Sequence, residues 1–139
     1  MEPGPESVAL LTAEYSVPMR ILLAEDHELM RDGLLDLVNQ LPNLRVVGTS
    51  ETGESTLEMA AKLEPDVILV DLSMPDMNGL DLVRKLATVN AHARIIALSM
   101  HADRRLVDEV LGAGAVAFVV KDRAFRELPA ALRTIMNPQ

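Results

Sequence analysis

Five apolar runs of strand length alternate along the chain with segments whose apolar residues recur every three or four positions. The runs centre on Ile21-Leu22-Leu23-Ala24, Leu44 to Ser50, Asp66 to Asp71, residues 94–99, and Val116-Ala117-Phe118-Val119-Val120. Unbroken apolar runs, rather than alternating ones, are expected of strands covered on both faces, as in a parallel sheet. The segments between them predict helices. The first follows Asp26, with Met30, Leu34, Leu37, Val38 and Leu41 on one face, and stops at Pro42-Asn43. A weaker one carries Leu57, Ala60, Ala61 and Lys62 and ends at Pro65. The third begins near Leu80 and includes Val83, Leu86 and Ala87; the fourth carries Leu106, Val107, Val110 and Leu111 and is closed by Gly112 or Gly114. Phe125, Leu128, Leu132 and Ile135 line one side of the last, in which Pro129 is tolerable only near the first turn. Strand and helix in strict alternation predict βαβ units and an α/β fold with a parallel sheet.

Residues 1–19 do not join this pattern. They carry Glu2, Glu6 and Glu14 without a basic residue, and Pro3, Gly4, Pro5 and Pro18 interrupt any period, so a flexible N-terminal extension is expected before a domain at 20–139. The 139 residues, 49% of them hydrophobic, suffice for one domain with a substantial core. A net charge of -8 argues against direct nucleic-acid binding, which rests on clustered Lys and Arg. The absence of Cys removes disulfide and thiolate chemistry. Apolar runs far shorter than the ~20 residues of a bilayer span, and no basic leader, predict a cytoplasmic protein without a membrane segment.

The candidate chemistry sits at the strand ends. In an open α/β sheet the carboxyl ends of the strands share one edge, and ligands bind there where the strand order reverses. The first run ends on Glu25-Asp26, the third on Asp71, the fourth on Ser99 and the fifth on Lys121. Each alone has an ordinary explanation: an Asp after a strand forms turns, and an acidic pair before a helix caps it. Together they describe a site. Two carboxylates about 5 Å apart repel by roughly 3 kcal/mol at an effective dielectric near 20, so three acids need a compensating charge. Mg²⁺ supplies it, being a hard cation that prefers oxygen ligands. Asp26 and Asp71 are the expected direct ligands, with Glu25 binding directly or through water. His27, His92 and His101 have no metal-ligand spacing and are expected on the surface.

On these residues, with Asp71-Leu72-Ser73-Met74-Pro75 followed by Gly79, the stretch from Arg20 to Ile135 resembles the receiver domain of bacterial two-component response regulators. Glu25-Asp26-His27, Leu98-Ser99-Met100-His101 and Gly114-Ala115 with Phe118 to Asp122 resemble the LuxR/NarL-type subgroup. The resemblance implies a flavodoxin-like (βα)5 doubly wound sheet with strand order 2-1-3-4-5. It implies a switch rather than an enzyme: phosphoryl transfer from a sensor histidine kinase to Asp71, with the Ser73 backbone carbonyl as a further metal ligand. Lys121 and Ser99 would contact the phosphoryl group, and Ser99 and Phe118 would move on phosphorylation. A homodimer on phosphorylation is a further implication. The chain carries no helix-turn-helix, so the subgroup suggests the regulatory half of a transcription factor; a stand-alone or unphosphorylated interaction module is the alternative. A dehalogenase-like phosphatase is disfavoured by Ser73, where a second Asp is expected, and a flavin carrier by the absence of Trp.

Overall fold

The computed structural model describes residues 17–136. Five parallel strands, β1 (Met19–Ala24), β2 (Leu44–Ser50), β3 (Val67–Asp71), β4 (Arg94–Ser99) and β5 (Ala115–Val120), form one sheet in the order β2-β1-β3-β4-β5. Helices α1 (Glu28–Asn39), α2 (Gly53–Leu63), α3 (Gly79–Val89) and α4 (Arg104–Gly112) connect them, and α5 (Ala124–Met136) follows a short 3₁₀ turn at Lys121–Arg123. This is the expected five-stranded doubly wound fold and strand order. The first strand begins at Met19, which pairs with Leu44, one residue ahead of the expected boundary. The expected extension otherwise falls on residues 1–16, outside the described residues.

Alternation within the buried strands divides the core in two. Ile21, Leu23, Val67, Leu69, Ile96 and Leu98 face α1 and α5, where they meet Leu34, Val38, Leu128 and Leu132. Leu22, Ala24, Ile68, Val70, Ile95 and Ala97 face the other way, onto Ala60, Leu82, Val83, Leu86 and Val110 of α2, α3 and α4. Burial on both faces is why the strands read as continuous apolar runs. The order reverses between β1 and β3, and the crevice at their carboxyl ends receives the strand-end side chains.

Three expectations at the helices are corrected. Pro129 lies inside α5, beyond its first turn. It forgoes one backbone hydrogen bond there, and burial of Ala124, Leu128, Leu132 and Ile135 holds the helix around it. Phe125 leaves the core face of α5 and is about half exposed. Its ring lies over Gly33 of α1, where a Cβ would come within 2.8 Å of Phe125 Cζ. Leu111 is likewise partly exposed, so Val110 alone is buried in α4. At the end of that helix, a Cβ on Gly112 would meet nothing within 4 Å, and the positive φ, which would strain any residue but glycine, belongs to Gly114. Gly112→Ala is therefore expected to raise stability by up to about 1 kcal/mol through lost unfolded-state entropy, measured by chemical denaturation.

Candidate functional site

Four of the expected side chains meet at the crevice. Glu25, immediately after β1, is fully buried, and Asp71, the last residue of β3, is equally inaccessible. A carboxylate oxygen from each of Glu25, Asp26 and Asp71 lies within 4.8 Å of the others. Lys121 does not end β5 as its sequence position suggested; it opens the 3₁₀ turn, which swings its side chain under the acids. Its Nζ donates to Glu25 Oε2 at 3.1 Å and lies 2.9 Å from Oε1 and 3.0 Å from Asp71 Oδ2. Those last two oxygens are buried without a well-aligned hydrogen-bond donor. Asp71 Oδ1, by contrast, accepts from the backbone N–H of Ser73 at 2.9 Å and from its hydroxyl at 2.7 Å.

One ammonium under two buried carboxylates leaves the balance unequal, and the pKa values record it. Burial pushes Glu25 up, and the adjacent Asp71 carboxylate adds to it; with the Lys121 contact opposing, Glu25 rises from 4.5 to about 7. Asp71 feels the same burial, but its contacts with Glu25, Ser73 and Lys121 outweigh it and hold its carboxyl below the usual range. Burial alone would depress the Lys121 ammonium; its two acidic partners outweigh that and raise it. The two acids therefore act oppositely on stability. The share from Glu25 is present below its ordinary pKa and is lost as pH rises through about 7. The share from Asp71 is lost as pH falls through its depressed value.

The remaining residues ring this centre. Ser99 ends β4 one position beyond Leu98, the register partner of Asp71; it is buried, and its hydroxyl accepts from the His101 N–H at 3.3 Å. Phe118 on β5 pairs with Ala97 and packs, partly buried, against the α2–α4 face of the core. Asp26, His27, Met30, Ser73, Met100, Lys121 and Asp122 line a cleft of about 490 Å³ that opens onto the acids. His27, His92 and His101 are all exposed. The acidic pair does not cap α1: the cap residue is His27, which makes no side-chain cap bond, and its N–H donates instead to Glu25 Oε2 at 3.1 Å.

Sequence reasoning missed two supports of the site. Asp76, in the loop after Asp71, accepts from the N–H groups of Gly53 and Glu54 at 2.7 and 3.0 Å, tying that loop to the start of α2. These bonds hold its carboxyl below the usual range. Thr52 and Ser55 close the same helix end with a reciprocal capping box, for which the Thr-x-x-Ser spacing was an available signal. The second support, Arg31, contacts the turn bearing Glu25 and has no comparable signature.

Comparison with known proteins bears on the family and the fold. The family model described as response regulator receiver domain matches residues 21–133. Response regulator UvrY of Escherichia coli is 34% identical over 121 residues, covering 87% of this chain and 56% of UvrY. The nitrate/nitrite response regulator protein NarL of E. coli is 38% identical over 115 residues, covering 83% of this chain and 53% of NarL. The chain thus spans just over half the length of these relatives. Among solved structures, the signal receiver domain of the putative response regulator NarL from Mycobacterium tuberculosis has a TM-score of 0.81 at 27% identity, covering 88% of this chain and 99% of that one. The response regulator domain of Thermotoga maritima CheB has a TM-score of 0.78 at 29% identity, with 88% and 98% covered. No described helix is long and apolar enough to cross a membrane.

Proposed function

The chain belongs to the response regulator receiver family, and on that premise we propose that Asp71 accepts a phosphoryl group from the phosphohistidine of a sensor kinase. The observation that carries this reading is the meeting of a buried carboxylate, two further acids and a buried ammonium at the point where strand order reverses. Glu25, Asp26 and Asp71, with the Ser73 backbone carbonyl, would hold Mg²⁺. The fit is chemical: the donors are oxygens, and Glu25 Oε1 and Asp71 Oδ2 are buried without aligned donors of their own. When bound, Mg²⁺ offsets the negative charge on the transferring phosphoryl oxygens.

The side chains divide the remaining work. A carboxylate oxygen of Asp71 attacks phosphorus as the N–P bond to the kinase histidine breaks, leaving an acyl phosphate on Asp71. Lys121, drawn from its acidic partners, donates to a phosphoryl oxygen, and the Ser99 hydroxyl turns in to donate a second bond. Phe118 follows inward, reshaping the face formed by α4, β5 and α5, through which a second copy binds. Reversing a two-state equilibrium from 1:99 to 99:1 needs about 5.5 kcal/mol of differential stabilisation; a phosphate with nearly two charges and several directed contacts is a source of that size. The functional domain opens with β1 at Met19, one residue ahead of the expected boundary. The relatives are longer than this chain, and the switch regulates transcription in the cytoplasm through a DNA-binding domain outside this sequence.

Incubation with acetyl phosphate is expected to add one phosphoryl group when Mg²⁺ is supplied and none when it is chelated, read by intact mass. Cation binding must also displace the proton that Glu25 holds up to about 7. Mg²⁺ affinity measured by calorimetry should therefore fall about tenfold for each pH unit below that value and level off above it. A flat pH profile would remove Glu25 from the cation site.

A further inference from the structure

Arg31 of α1 braces the turn that presents Glu25 and Asp26. Arg31 Nη1 donates to the backbone carbonyl of Glu25 at 3.2 Å, and the Arg31 backbone N–H donates to the carbonyl of His27 at 2.9 Å. The peptide group before Asp26 is thus tied to the Arg31 side chain, and the His27–Glu28 peptide group, one step further along, to its main chain. Nη1 also lies 3.0 Å from Glu51 Oε1, just beyond β2. The Glu25 N–H donates to the carbonyl of the neighbouring Ser50 at 2.9 Å, which closes a ring of contacts between the β2 end, the turn and α1.

We propose that Arg31, anchored by Glu51, is a positioning residue of the cation site that fixes the Glu25–His27 turn so that Asp26 converges with Glu25 and Asp71. The inference rests on the proposed role of those three acids as a cation site. Glu25 and Asp71 have direct fixings of their own in Lys121 and Ser73. Asp26 does not: it is exposed, and its carboxylate has no hydrogen-bond or ion-pair partner among the described residues. Its place in the cluster is set by its backbone, which Arg31 holds together with the Glu25 N–H bond to Ser50 and the His27 N–H bond to Glu25 Oε2. Residues that orient the groups around a metal typically change its affinity by about 10- to 100-fold when removed.

Charge and position predict opposite signs. A guanidinium near the acids repels a cation, so if its charge were what mattered, deleting it would tighten binding. Loss of position would loosen it. Calorimetric titration of Mg²⁺ into the protein is expected to show roughly tenfold weaker binding for Arg31→Ala, partial recovery in Arg31→Lys, and a smaller weakening for Glu51→Ala. Phosphorylation by acetyl phosphate should need more Mg²⁺ for its half-maximal rate in these variants, with the rate at saturating Mg²⁺ kept. Circular dichroism checks folding, and the exposed Glu51 keeps the test open if Arg31→Ala does not fold. Unchanged or tighter Mg²⁺ binding in Glu51→Ala together with any folded Arg31 variant would overturn the proposal while leaving the cation site standing. Failure of the unaltered protein to bind Mg²⁺ would overturn both.

Discussion

Asp71→Asn is expected to abolish phosphoryl incorporation from acetyl phosphate while leaving the fold intact. The amide has the carboxylate's shape, and its oxygen can still accept from the Ser73 N–H that now holds Oδ1. It has no anionic oxygen with which to attack phosphorus, so the loss is of chemistry rather than of packing. A second readout separates this from damage to the site. The neighbouring Asp71 carboxylate is among the causes of the raised pKa of Glu25. In Asp71→Asn the Glu25 carboxyl should titrate below its value of about 7, with Lys121 paired to it alone; carboxyl chemical shifts followed against pH would show it. Modification that persists in the Asn variant would place the acceptor elsewhere.

Gly79→Ala is expected to be the most destabilising small substitution near the site. Gly79 opens α3 behind the Asn78 cap, and a Cβ there would lie 2.8 Å from Leu72 Cα and closer still to the Leu72 carbonyl oxygen. Both are backbone atoms of the loop that follows Asp71, so neither can swing aside as a flexible side chain would. Helix propensity favours Ala over Gly by about 1 kcal/mol, whereas forced overlap in a packed region costs about 1–3 kcal/mol and at times more. Overlap with fixed backbone wins, and a net loss of roughly 2 kcal/mol should appear in the denaturation midpoint. Relief by shifting the loop would also displace Ser73, which holds Asp71, so phosphoryl incorporation should slow. Stability equal to that of the unaltered protein would mean that the approach of loop and helix is looser than the structure has it. Gly112, with open space around it, makes the internal control.

The fold was legible because its signals are local and redundant. Each strand is a continuous apolar run, and each helix has a periodic face or a clear stop, such as Pro42-Asn43 after α1. The exceptions have local causes of another kind. Pro129 reads as a helix breaker, yet the buried side chains flanking it are held by packing against β5 and α1. Phe125 reads as core from its spacing, and the room that draws it over Gly33 exists only once α1 and α5 lie side by side.

The candidate site was legible in its membership and not in its internal roles. Nothing in the order Glu25-Asp26 says that the first acid is buried against Lys121 while the second faces the cleft. Nor does it say that a lysine 96 residues away joins the first, or that Asp76 clamps the start of α2.

What the chain determines by itself is the succession of elements and the chemical types at their ends, because apolar periodicity and helix stops act over a few residues. Which atoms meet depends on strand order, on the face each connection takes and on sub-ångström placement at the crevice. Those properties arise only when distant segments pack, and burial then makes a raised Glu25 and a guanidinium behind a turn out of residues that in water would be ordinary acids and bases.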